Sequence, residues 1–510
     1  MQRTPGIANN TAHGWTAIGS QRQRLGQARH LWFAVYTLVV IAYMAHMPVT
    51  ISGDAQEYLV ITQAWFDHAS PDMRPEDISP INRILRPHDV YHDLAITNPY
   101  LGFFQAHNGR WYCWHFWLYP LCSVPFKALF HVLGADEFYA FKFGNIALFL
   151  IACYMVVFQS ALSEAKRWMV LGLAGISPVI WYLNWAHPES FSWSFVLLSL
   201  VCMSNRNYWQ AALCAALPAM QNPPLLFLAG YMVLLSWRER HWSTTFVTGA
   251  GAALGLLPIV FYKVLFGSSN LIMRAGLSSV RFISWSRFWG FFFDLNQGLL
   301  PYVPGLLALS LVAVAYTIRQ RNWKALYLGL LLFPIILSAA MTHDWISAMA
   351  GLMRYAIWML PIFAWFAIEA LPDTPQLRWA VAAAVILQGL ILTTGDGSRD
   401  TLTVKWPARL VWNYAAAQYN PPYIIFAQRV AGTYGPATAA LPIGYTAPTG
   451  NVTKILTDTR SLSQLTLKYR HVDAVWLAQV QQEYAGRKGE FYIHPPAGAV
   501  AGPVLPYVPK

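Results

Sequence analysis

From Leu31 to Ile51 the chain reads LWFAVYTLVVIAYMAHMPVTI, without one Asp, Glu, Lys or Arg. A run of this length fits the hydrocarbon core of a bilayer, where no water can pair with the backbone. The backbone must then satisfy its own N–H and C=O groups, and the apolar character is continuous rather than alternating, which selects helices over a barrel. Similar runs recur, and spans are expected near 31–51, 137–160, 168–187, 190–205, 207–220, 223–237, 243–265, 290–318, 325–341, 350–370 and 376–394. Composition agrees: of 510 residues, 56% are hydrophobic and 11% charged, with mean hydropathy +0.36. A soluble domain carries about 25% charged residues. The expectation is an all-α polytopic membrane protein of about eleven helices. The first run has no small-residue cleavage site after it and is expected to stay as the first span.

The net charge of +12 does not point to nucleic acid, because the basic residues fall in small clusters between apolar runs. Arg22, Arg24 and Arg29 precede the first span, and Lys166-Arg167, Arg238, Arg240 and the RQRNWK turn from Arg319 to Lys324 sit in later loops. With eleven spans these share one side, the cytoplasmic one by the positive-inside rule. Arg274, Arg281 and Arg287 then fall outside. The resulting plan has a cytoplasmic arm (1–30), a transmembrane domain (31–394) and a small mixed domain on the far side (395–510), where short alternating runs such as EFYIHPP occur. Residues 52–136 form a helical first outer loop whose His115–Gly134 segment is expected to be interfacial or re-entrant. The five cysteines lie mostly in apolar runs and do not form a disulfide scaffold.

On this plan the unusual polar residues collect on the outer side. Asp54 and Glu57 follow the first span, His187 and Glu189 end the third, and Asn222 ends the fifth. Asp294 lies early in the eighth, His343 and Asp344 follow the ninth, and Arg354 opens the tenth. Each has an ordinary explanation as well. Asp54 can cap the helix after it, with Glu57 at capping-box spacing. Asn222 before two prolines marks a turn, and Arg354 can snorkel. Their co-location points instead to an enclosed polar cavity opening outward. HExxH, CxxC, GxSxG and Walker patterns are missing, so metal-protease, nucleophile-elbow and ATP-driven chemistry are not expected.

In order along the chain, GDAQEYL, NGRWYCWHFWLYPLCSVPF, HPES, QNPPLLFL, FFFDLNQGLLPYVPGLLAL and MRYAIWMLPIFA resemble the signature blocks of bacterial GT-C glycosyltransferases, polytopic enzymes that use polyprenyl-phosphate sugars. The resemblance covers most of residues 30–370. It implies a GT-C-like fold and transfer of a sugar from a polyprenyl-phosphate donor to a periplasmic acceptor such as a lipid-linked glycan, lipid A or a polysaccharide. It also implies a multi-pass protein of the bacterial inner membrane with its N-terminus cytoplasmic and its C-terminus periplasmic. Asp54, with Glu57, takes the catalytic position as the carboxylate that orients or deprotonates the acceptor hydroxyl. His115, His187, Glu189, Asn222, Asp294, His343 and Asp344 are the expected substrate-binding groups. No lysine opens the NPP turn, which leaves Arg354 for the donor phosphate, with Arg110 and Lys127 as helpers. A divalent cation at Asp54 stays open. Two other readings also stay open: a transporter or flippase for a lipid-linked glycan, which would favour polar residues at mid-membrane, and a polymerase or ligase of O-antigen type, to which Arg274, Arg281 and Arg287 would belong.

Overall fold

The computed structural model describes residues 11–51, 53–88, 102–239, 242–343, 345, 351–394, 402–432, 441–470, 472–496 and 498–501. The chain divides into two units, Met1–Val49 and Thr50–Lys510. The first contains one long helix, Thr11–His46, and its Gln27–His46 part is apolar and long enough to cross a membrane.

The second unit is mostly helical. Four more described stretches are long and apolar enough to span: Glu137–Gln159, Trp242–Phe266, Trp323–Ala340 and Pro375–Thr394. Other expected spans are interrupted. The run at 168–187 is a helix Glu164–Gly175 and a short turn Val179–Tyr182, parted at Ser177-Pro178. The run at 290–318 breaks into Trp285–Phe293, Leu299–Tyr302 and Pro304–Gln320. Tyr208–Ala219 and Leu226–Glu239 are parted by Pro223 and Pro224, residues that cannot donate a helical N–H. Local chemistry sets several starts. Ser163 accepts from Lys166 N, Asn270 from Met273 N and Ser284 from Arg287 N, each a side-chain N-cap. Close helix approach is set by size at Gly305, where a Cβ would lie 2.4 Å from the Ala384 Cβ.

The first loop holds more than helices. Ala55–His68, Ile78–Leu85 and Leu118–Val132 are joined by a three-stranded antiparallel sheet, with Trp111–Cys113 between Asp72–Met73 and Phe103–Gln105. Its hairpin turns at Asn108-Gly109, where Gly109 takes φ +79°, a conformation glycine adopts at no steric cost. Leu118–Val132 is a 15-residue helix with Pro125 inside it; at 1.5 Å per residue it covers about 22 Å, short of a full crossing.

The C-terminal part mixes helices Trp406–Tyr414, Tyr423–Ala431 and Ala474–Glu483 with an antiparallel sheet of Ile443–Thr446, Val452–Thr457 and Phe491–Ile493. It is fastened to the helix break at 294–298 by Tyr419 and Lys405. The Tyr419 hydroxyl donates to Asp294 Oδ2 at 2.7 Å, and Lys405 N donates to Asn296 Oδ1 at 3.1 Å.

Candidate active site

Two backbone bonds fix where Asp54 stands. Thr50 N donates to Asn184 O at 2.9 Å and Ala186 N to Thr50 O at 3.2 Å, so the turn before Asp54 runs beside the His187-Pro188-Glu189 turn. Asn145, 3% exposed, secures the latter by donating to Trp185 O at 2.9 Å. Arg354 arrives from a third direction: Met353 N donates to Gln297 O, and the Tyr182 hydroxyl to Leu352 O.

These supports bring three nitrogens onto one carboxylate oxygen. Asp54 Oδ2 lies 2.8 Å from Arg354 Nη1, 3.4 Å from His187 Nε2 and 3.5 Å from His115 Nε2. The Asp54 side chain makes no capping bond to the helix Ala55–His68, so the capping explanation of this residue does not hold. Arg354 is shared: Nη2 donates to the Tyr355 hydroxyl at 3.0 Å, and Nε lies 3.9 Å from Glu189 Oε1. His187 Nε2 also lies 3.2 Å from Arg354 Nη1. That nitrogen can donate to the acid or accept from the guanidinium, but not both at once.

Behind His115 stands Glu57, 4% exposed, with Oε2 3.0 Å from His115 Nε2 and accepting from Trp114 Nε1 at 2.9 Å. Gly102 presses on the same carboxylate. Its φ is +82°, and a Cβ there would lie 2.4 Å from Glu57 Oε1. Glu57 therefore touches the site through His115 rather than lining the cavity itself. Enclosure works against charge on Asp54, yet His115 and then Arg354 outweigh it and hold the carboxyl well below the usual carboxylate range. Enclosure likewise opposes a charged His115, but Glu57 and Asp54 push its pKa up to about 9.

The cavity in front of these groups measures about 660 Å³. Asp54, His115, His187, Glu189 and Arg354 form its charged end, and Leu226, Phe227, Ile272, Met273, Leu277 and Ala339 line much of the remainder. One wall is a short ladder in which Ser279 N donates to Met341 O and His343 N to Leu277 O. Arg287 braces it from behind, donating to the carbonyls of Ala340 and Thr342 at 2.9 Å each.

Of the expected residues, Asp54, His115, His187, Glu189, Asn222, His343 and Arg354 line this one cavity. Asn222 is held at its edge by donating to Ser192 Oγ at 2.7 Å. Four lie elsewhere. Asp294 closes its own helix break, accepting from Asn296 N and Gln297 N as well as from Tyr419. Arg110 is an exposed residue 3.6 Å from Asp72, and Lys127 pairs with Glu137. Both cations are thus occupied by carboxylates outside the cavity. Asp344 lies outside the described residues. Tyr58, Gln221 and Tyr355 also line the cavity and were not singled out as site residues; each adjoins or shares a motif with one that was.

Among the described residues, no group of three or more His, Cys, Asp or Glu side chains is arranged to hold a metal ion. A divalent cation at Asp54 Oδ2 would meet the Arg354 guanidinium 2.8 Å away, so the residues as they stand do not fit one. No step below runs through a metal.

No family model and no curated protein matches the chain. Over most of its length it is similar to two solved structures. One is ArnT from Cupriavidus metallidurans bound to undecaprenyl phosphate, with a TM-score of 0.43, 13% identity, and 82% of this chain and 69% of that one covered. The other is the archaeal oligosaccharyltransferase AglB from Archaeoglobus fulgidus in complex with an inhibitory peptide and a dolichol-phosphate, with a TM-score of 0.45, 11% identity, and 92% of this chain and 75% of that one covered.

Proposed function

We propose that the chain is a membrane glycosyltransferase that moves a sugar from a polyprenyl-phosphate donor to an acceptor on the periplasmic face, a lipid-linked glycan, lipid A or a polysaccharide. The observation that carries this reading is the Asp54–Arg354 pair at the charged end of a largely apolar cavity. In the reaction, the bond between the anomeric carbon and the phosphate oxygen breaks and its electron pair leaves with the polyprenyl phosphate. A bond from the acceptor oxygen to that carbon forms, and the acceptor proton passes to Asp54. Arg354 stabilises the charge on the departing phosphate with its planar fork of donors, and His115 adds a second N–H beside it. The apolar wall suits the first isoprene units of the donor. Eleven spans, an inner-membrane location and a periplasmic domain from about residue 395 belong to the same proposal.

The transporter reading draws on the broken helices, since polar residues at helix breaks serve transport in other membrane proteins. At the 294–298 break, however, the carboxylate of Asp294 is consumed by its own turn and Tyr419. Of the three arginines a ligase-type reading needs free, Arg287 is buried in a bracing role, whereas Arg274 and Arg281 are exposed. Mass spectrometry of lipids that co-purify with the detergent-solubilised protein tests the glycosyltransferase reading. Polyprenyl phosphate or its sugar conjugate is expected with the wild type and lost from Arg354→Ala. Co-purification of neither would remove the basis for a lipid-phosphate donor.

A further inference from the structure

Three nitrogens within 3.5 Å of one oxygen make an anion site, and its occupant here is the protein's own Asp54. The donors are buried and the occupant is not. Arg354 is 8% exposed and His187 3% exposed, both tied to Glu189 and to their own turns. The Asp54 side chain is 31% exposed and faces the cavity. It follows Gly53, at φ +57°, where a Cβ would meet nothing within 4 Å, so the turn has room to move.

The donor set is also larger than Asp54 can satisfy. Arg354 Nη1 and His187 Nε2 crowd each other at 3.2 Å on the one Asp54 oxygen, and His115 Nε2 lies closer to Glu57, at 3.0 Å, than to Asp54, at 3.5 Å. A single carboxylate oxygen leaves this cluster under-served. The donor's phosphodiester offers two free oxygens and one charge, and the monoester it leaves behind offers three oxygens and up to two charges, enough to engage Arg354 and both imidazoles at once.

We infer that Asp54 is a place-holder for the phosphate: in the free protein it fills the anion site, and the lipid's phosphate, a diester in the donor and a monoester in the product, displaces it. This deepens the proposed function and rests on it. Phosphate and the Asp54 charge then oppose each other, each weakening the other's hold on Arg354, and the opposition is reciprocal. It also gives Asp54 two states. Bound to three nitrogens it is a feeble base; released by the phosphate, it becomes basic only when a donor is present to react.

The test is equilibrium binding of three probes to the purified full-length protein in nanodiscs: undecaprenyl phosphate, undecaprenol and inorganic phosphate. Asp54→Asn, which keeps shape and loses charge, is expected to bind undecaprenyl phosphate about tenfold more tightly than wild type while binding undecaprenol unchanged. Asp54→Ala and Asp54→Ser carry the same expectation should the Asn variant not fold. A gain with undecaprenyl phosphate alone assigns the site to the lipid headgroup; a gain with inorganic phosphate as well extends it to free phosphate. Equal or weaker phosphate binding by all the folded Asp54 variants would overturn the inference. The two ideas fail separately. If Arg354→Ala binds undecaprenyl phosphate as wild type does, the donor-site reading fails; if it loses binding while the Asp54 variants gain none, the place-holder alone fails.

Discussion

The His187 imidazole lies flat on the Trp185 indole, with ring centroids 3.9 Å apart and planes 14° from parallel. Tyr58 meets the same imidazole edge-on at 5.1 Å. The two rings fix the plane of the imidazole, in which Nε2 stands toward Asp54. Trp185→Leu removes the stacking surface and frees the ring to turn. Transfer is expected to fall about tenfold, because a misaimed group costs rate without touching substrate. Trp185→Phe is expected to recover most of it. Equal rates for Leu and wild type would detach His187 from the reaction.

Asp54→Asn is expected to lower turnover about a hundredfold or more, the usual scale for a lost general base. Because Asp54 is the ion partner of the buried Arg354, its thermal midpoint is expected to fall, with no contribution from a lost helix cap. Near-full turnover by the folded variant contradicts a carboxylate role at this position.

Arg354→Lys keeps the charge but not the planar fork. Donor binding is expected to weaken about tenfold for Lys and considerably further for Ala, which removes the charge as well as the fork. Comparable affinities for Lys and Ala would mean the fork does not read the phosphate.

The activity profile is expected to fall as pH rises through about 9, where His115 loses its proton. The sign follows from the neighbours: Glu57 and Asp54 favour the protonated ring, so removing one lowers its pKa. Glu57→Gln keeps an acceptor for Trp114 but removes a charge, and its alkaline limb is expected to move to lower pH with activity best preserved near pH 6. A uniform loss at every pH would mark Glu57 as only a packing group.

Sidedness is checked with a membrane-impermeant maleimide in a Cys122→Ser background. Thr449→Cys, in the exposed turn between two strands, is expected to react in intact spheroplasts, and Gln320→Cys only after lysis. The reverse pattern would invert the topology and the site with it.

The residues around Arg354 were legible in the sequence for a physical reason. Charged groups beside apolar runs are costly, so each one stands out, and a shared side brings them within reach of one another. Arg110 and Lys127 looked alike by that criterion, but their partners Asp72 and Glu137 are fixed by folding of the first loop. Pairing in space leaves no mark in local sequence. The same holds for the sheet in that loop, whose strands are two or three residues long and too short for a periodic pattern. Helix interruptions at 177–178 and 222–224 coincide with prolines and could be read; Asp294 carried the same signal as Asp54, and its bonds to its own turn and to Tyr419, 125 residues on, separate their roles.

The bond from Arg354 to Asp54 closes a loop of 300 residues. During synthesis the acid emerges and meets its two histidines long before the arginine exists. A ribosome-bound chain that has not reached position 354 carries a carboxylate cluster with no guanidinium to neutralise it, and synthesis at about 5–20 residues per second makes that interval tens of seconds. The last helices therefore do more than complete a bundle: their insertion converts an acidic hollow into a balanced one, and a chain truncated before Arg354 is marked by that uncompensated charge.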